Sequence, residues 1–210
     1  MDVIDSIKQR RSVNFFEQGR EIPDETLTNL LNVANLAPSS FNLQPWRVIV
    51  VRDKDRKRKL RECAMNQPKV EEASVVLIMI ADPDGVEINR DRVLQRWVEL
   101  GFIKSENKDM MVETMRKLYD EKESLTRKIF AVKNTALFAM NLMNTAQGLG
   151  LDTHPMDGID ADCIKREFSI PDDKVIPMII AVGYLKPGIS LLPRGFRRDL
   201  DEFVGIDTYK

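Results

Sequence analysis

Between residues 131 and 147 a helix-length stretch carries apolar side chains on every face: Ala131, Ala136, Leu137, Phe138, Ala139, Met140, Leu142, Met143 and Ala146. A helix apolar all round has no side to give to water and must be covered throughout. At about 17 residues it is short for a membrane span, which needs roughly 20. In a chain of 210 residues such a helix points to a subunit interface. Gly148 and Gly150 then end it, and Leu151 enters a strand of edge character.

Three apolar runs supply the rest of a core. The run 46–51 has almost no polar alternation, which predicts a strand buried on both faces. The runs 75–81 and 175–182 are read as strands in the same way. Helices fall between them. Asp2 is a candidate N-cap for a segment with Val3, Ile4 and Ile7 on one face. Pro23, Asp24 and Glu25 mark a second start, followed by the stripe Leu27, Leu30, Leu31, Ala34 and Ala37. Asp53 opens a charged, solvated helix through residue 61, and Asp160 caps a short one through Phe168. Residues 86–128 read as a helical excursion of two helices with a polar break near Ser105. Their charged runs include Asp120 to Glu123, and Met111, Met115, Leu118, Leu125 and Ile129 recur at helical spacing. Together these elements make one domain over 1–210.

Composition excludes several classes. Charged residues are 31%, apolar residues 43% and the net charge is −1, so nothing favours nucleic acid or an anionic membrane as partner. The single histidine, His154, rules out a His-rich metal site, and beside Pro155 it reads as a loop or cap residue. Cys63 and Cys163 have no metal-type spacing; they could in principle pair, but are expected to be reduced core residues. No metal is expected. The opening residues, from Met1, lack a basic region followed by an apolar stretch, so no signal peptide is expected and the cytoplasm is the default.

Two polar segments stand out. Ala37-Pro38-Ser39-Ser40-Phe41-Asn42-Leu43-Gln44-Pro45-Trp46 is dense in short, uncharged hydrogen-bonders. These side chains build turns, and they also suit an edge-on grip on a flat ligand rich in C=O and N–H groups. Arg10-Arg11-Ser12 offers two guanidinium forks and a hydroxyl, a set matched to a phosphate monoester.

The first segment resembles the P-S-S-x-N-x-Q-P-W signature of the nitroreductase family, the FMN-dependent NAD(P)H oxidoreductases. Three more segments resemble it in order: Arg10-Arg11-Ser12-Val13-Asn14, Asn66-Gln67-Pro68-Lys69 and Pro155-Met156-Asp157-Gly158. The tail from Arg194 to Val204 makes a plausible fifth, with Arg197 the best match to a second phosphate clamp and either Arg194 or Arg198 assisting it. The resemblance implies an α+β fold in α/β/α layers, a mainly antiparallel sheet flanked by helices, and an intertwined homodimer around the long helix. It implies that Arg10, Arg11, Ser12, Arg194 and Arg197 hold the FMN phosphate and ribityl chain. Pro38, Ser39, Ser40, Asn42 and Gln44 belong to the flavin grip, and Asn14 and Asn66 face the pyrimidine edge. Pro155, Met156, Asp157 and Gly158 lie against the ring face. Lys69 stabilises the reduced flavin, a role in which it stands nearly alone because relatives often carry a base where Asn14 stands. Phe41, Trp97, Phe102, Met110 and Met111 are candidates for substrate contact.

The implied activity is ping-pong transfer of two electrons from NAD(P)H to a nitroaromatic, quinone or similar small electron acceptor. No G-x-G-x-x-G fingerprint is present for a separate dinucleotide site. Two alternatives share the same residues: a specialised flavin enzyme, dehalogenase-like or flavin-fragmenting, and an FMN-binding protein without turnover.

Overall fold

The structure, a computed structural model, describes residues 2–119 and 121–209; Met1, Asp120 and Lys210 lie outside the described residues. Four strands, β1 (Trp46–Val51), β2 (Val75–Ala81), β3 (Asp152–Met156) and β4 (Val175–Gly183), form one sheet in the order β1-β2-β4-β3. Every neighbouring pair is antiparallel. The eight helices among the described residues are α1 (Val3–Gln9), α2 (Asp24–Ala34), α3 (Lys54–Glu62), α4 (Lys69–Glu72), α5 (Gly85–Glu99), α6 (Lys108–Tyr119), α7 (Leu125–Gly148) and α8 (Ala161–Phe168).

The two-residue period of a strand decides the layering. In β2 Val76, Ile78 and Ile80 point to one face, where Leu60 of α3, Val70 of α4 and Ile164 of α8 meet them. Val75, Leu77 and Met79 point to the other, against Leu27 and Leu30 of α2 and Phe138 and Leu142 of α7. Truncating a fully buried leucine such as Leu142 costs about 2–5 kcal/mol in a site of this kind. The α/β/α layering follows, with α5 and α6 outside it. They pack on a third cluster of Leu43, Ala81, Val86, Leu94, Met115, Tyr119 and Phe130 at the C-terminal end of β2. This is the expected excursion, and its polar break is the single turn Ser105–Asn107.

Several sequence readings need correction. β1 is an edge strand with most residues only partly buried, because a neighbour lies on one side of it alone. Cys63 and Cys163 are joined in a disulfide, Cα to Cα 5.5 Å, since the end of α3 and the start of α8 lie side by side on one sheet face. α7 begins earlier than the apolar stretch, where Ser124 accepts from the Arg127 amide as N-cap. Leu125 and Ile129 therefore sit on α7 and do not continue the stripe of α6. The apolar face of α1 is uncovered, with Val3 66% and Ile4 53% exposed. Lys57 is buried on the otherwise charged α3 and donates to the Glu71 and Ala73 carbonyls at 3.0 and 2.7 Å, closing the end of α4.

Candidate functional site

After α1 the chain runs along the open edge of β3. Ser12 bridges Thr153, and the Val13 amide donates to the Thr153 carbonyl at 3.2 Å. The tail returns to the same place: Arg194 donates to the carbonyls of Lys8 and Arg10, and Arg11 donates to those of Leu192 and Pro193 at 2.8 and 3.3 Å. The contacts of these arginines are to neutral carbonyls, so their charge is uncompensated. Arg10 Nη1 is buried with no hydrogen-bond partner among the described residues. Burial, then Arg194, Arg197 and Arg11 in turn, push the Arg10 pKa down. A planar cation stranded among other cations is a seat for an anion. Arg198 is turned away over the Phe203 ring at 5.2 Å, so Arg194 is the arginine that joins Arg10.

A second group of residues adjoins this cradle. Met65 and Asn66 both adopt left-handed backbone, at φ 51° and 55°, and Arg61 Nε holds the Asn66 carbonyl at 3.1 Å. The turn delivers Gln67 and Lys69. Gln67 Nε2 donates to the Gly158 carbonyl at 3.1 Å. Lys69 Nζ lies 3.3 Å from both Gln67 Oε1 and His154 Nε2. Burial lowers the Lys69 pKa. His154 Nδ1 lies 2.8 Å from the Val13 carbonyl oxygen. The disulfide and the bond from the Asp160 amide to the Cys63 carbonyl, 2.7 Å, fasten this turn to the 157–160 loop. Segments 10–14, 66–69, 154–158 and the tail arginines thus come together. Gln67 and His154 join this group although no sequence motif nominates them for it; the uniqueness of His154 is the available signal.

The loop from Pro38 to Trp46 is elsewhere. The Asp82 amide donates to the Pro45 carbonyl at 2.9 Å, and Trp46 pairs with Ala81, which fixes the loop at the outer end of β1. A Cβ on Gly85 would lie 2.7 Å from Pro45, so α5 can start there only because residue 85 is glycine. Much of the loop's polar capacity is spent internally. Ser39 Oγ accepts from the Gln44 amide at 2.9 Å, and the Ser40 amide donates to Asn134 Oδ1 at 3.0 Å. The Ser40 hydroxyl pairs with Tyr119 at 2.6 Å, and Gln44 Nε2 donates to the Asn42 carbonyl at 3.1 Å. Phe41, Asn42 and Gln44 all have positive φ. Phe41 stacks on Trp97 with centroids 6.0 Å apart and, with Met111, packs on the third cluster. Phe102 and Met110 are exposed.

His154 is level with Ala181 and Val76, and the loop with Ala81. Three strand spacings across and five residues along separate them by about 20 Å. One flat ring system cannot touch both groups in a single chain.

The Nitroreductase family model matches residues 7–184. MhqN of Bacillus subtilis, named for an inferred NAD(P)H nitroreductase activity, is 34% identical over 94% of this chain and 95% of its own. The crystal structure of ydfN from Bacillus subtilis, titled as an inferred nitroreductase, superposes with a TM-score of 0.90 at 33% identity, over 97% of both chains. An inferred nitroreductase from Exiguobacterium sibiricum, solved in complex with FMN, gives a TM-score of 0.83 at 28% identity over 96% of this chain and 95% of its own. The match includes segments 10–14, 38–46, 66–69 and 155–158 and stops short of Arg194, placed beside Arg10 by its bond to the Arg10 carbonyl, and of Arg197, whose hydrogen bonds go to the Gly195 and Phe196 carbonyls. This chain belongs to the nitroreductase family.

Proposed function

We propose that the protein is an FMN-dependent oxidoreductase that passes two electrons from NAD(P)H to a small electrophile such as a nitroaromatic or a quinone. The observation that carries the reading is the buried Arg10 Nη1, unpartnered among the described residues and set among guanidiniums, next to a lysine that no described carboxylate neutralises. That donor set fits FMN. Arg10, Ser12, Arg194 and Arg197 would hold the phosphate, with Arg11 tying down the tail. Asn66 and Lys69 would face the electron-rich pyrimidine edge, and 155–158 would lie against the ring. Bound there, FMN supplies the redox chemistry, while the chain orients it and stabilises negative charge. Asn14 is exposed and uncharged, which leaves Lys69 as the cation for that task.

We also propose that the working form is a homodimer in which the Pro38–Trp46 loop of one copy completes the cradle of the other. The separation of the two groups supports this, as does uncovered apolar surface on α1, on α7 at Leu137 and Met140, and on the tail at Phe203 and Ile206. The test is an absorption spectrum of the purified protein, before and after adding FMN, then anaerobic NADPH and NADH in turn. A flavin band that bleaches supports the reading. A band that does not bleach favours storage without turnover, and no band even with added FMN overturns it.

A further inference from the structure

We propose that His154 is a positioning residue: by accepting from Lys69 at Nε2 and donating to Val13 at Nδ1, it fixes the Lys69 ammonium where the ligand's negative charge is met. The inference rests on the flavin reading for its purpose, and on geometry for its parts. A carbonyl oxygen can only accept, so the contact with Val13 requires the hydrogen on Nδ1. Nε2 then presents a lone pair, and an ammonium can only donate. One tautomer satisfies both contacts. Gln67 acts in parallel, because the bond from its Nε2 to Gly158 turns its Oε1 toward Lys69.

The arrangement keeps the charge intact. Lys69 has two neutral acceptors in fixed places, and a carboxylate at either would neutralise the cation before any ligand arrived. Its third hydrogen is left for the ligand. Both anchors are rigid: Val13 is fully buried and bonded to Thr153, and His154 is paired within β3.

The pair is also sensitive to acid. Burial pushes the His154 pKa below its ordinary 6.5, and Lys69 and Arg10 push it the same way against the Val13 carbonyl. Among the described residues these two cations, Lys69 from α4 and Arg10 beyond α1, are the charged groups that act on the ring. Protonation would aim an N–H at the ammonium and displace it.

Because the chain has one histidine, the imidazole nitrogens give a single set of NMR signals, and the measurement needs no flavin. In flavin-free protein the expected result is the Nδ1–H tautomer at pH 7.5, a midpoint below 6.5, and an upward shift of that midpoint in Lys69→Met. The Nε2–H tautomer, or a midpoint unmoved by Lys69→Met, overturns the pairing. The second measurement is the midpoint potential of bound FMN in His154→Phe and His154→Gln. A downward shift is expected, larger for Phe, because Gln keeps an acceptor; a structural role would lower Tm and leave the potential alone. An unchanged potential with FMN still bound overturns the positioning role. A protein with the expected tautomer and shift that binds no flavin overturns the flavin reading and leaves the Lys69–His154 pair standing.

Discussion

The cradle along β3 and the loop at the start of β1 are both dense in polar groups, and they are built on opposite principles. At the cradle charge is left unsatisfied: among the described residues Arg10 Nη1 has no hydrogen-bond partner, and Lys69 has neutral acceptors only. Covalent and backbone ties, the Cys63–Cys163 disulfide among them, hold it together. At the loop the hydrogen bonds are largely made within the protein, and the cost lies in three left-handed residues that are not glycine. The cradle is poised for an anion. The loop is a rigid, neutral surface. The proposed dimer, facing one against the other, would give a ligand a charged end and a shaped wall.

The largest effect is expected at the cradle. On the proposed reading, Arg10→Ala removes a charged hydrogen bond to the phosphate worth about 1.5–3 kcal/mol, so FMN affinity should fall roughly 10- to 100-fold. The same change should leave the flavin-free Tm unchanged or raised, because burial and neighbouring arginines already disfavour that cation. Titrating flavin-free protein with FMN and melting it without FMN separates the two. A lower Tm with unchanged affinity would make Arg10 structural. Mixing this variant with one carrying Asn42→Ala and Gln44→Ala then tests the proposed division of labour. With statistical exchange of subunits, roughly a quarter of the flavin sites should be restored at limiting FMN, since each mixed dimer holds one intact cradle–loop pair. No restoration would break the proposal of shared sites.

What the sequence could show was what is local. Asp2 and Asp160 cap the helices the sequence assigns them, and Asp53, placed near a helix start, caps it too, because a cap is a contact within three residues. The strand 75–81 emerges at its predicted bounds, since an apolar run with no alternation, lying between polar segments, has one easy reading. Depth and distance were not legible. An apolar run looks the same in the centre of a sheet as at its edge, so the sequence alone overstates the burial of β1. The two cysteines lie 100 residues apart, and only the adjacency of α3 and α8 joins them. The candidate site residues could be nominated one segment at a time. That Arg10, Lys69 and His154 share one sheet edge while Asn42 occupies the other depends on strand order, which no spacing encodes.

A smaller effect is expected where the loop meets α5. Gly85→Ala places a methyl 2.7 Å from the Pro45 Cα and Cβ, and a backbone atom cannot swing aside. Overpacking of this kind costs about 1–3 kcal/mol. The strain falls on the loop and leaves the cradle untouched, so turnover with a quinone should drop more than affinity for inorganic phosphate. Equal losses would show that the two places are mechanically one.

The smallest effect on the fold is expected from Asn42→Gly. Asn42 sits at φ 56°, a conformation that asparagine tolerates and glycine adopts freely. Glycine relieves that strain, gains entropy in the unfolded chain and gives up the exposed bond from Gln44 Nε2 to Asn42 Oδ1, 3.1 Å. These terms oppose one another, and the net change in stability should stay within about 0.5 kcal/mol. The carboxamide itself would be gone from the exposed side of the loop. A drop in FMN affinity or turnover at constant Tm would therefore assign Asn42 to the ligand, and constant affinity and turnover would reduce it to a turn residue. The outcome decides whether the loop meets the ligand with specific polar atoms or with shape alone, a choice that its internal hydrogen bonds leave to the exposed side chains.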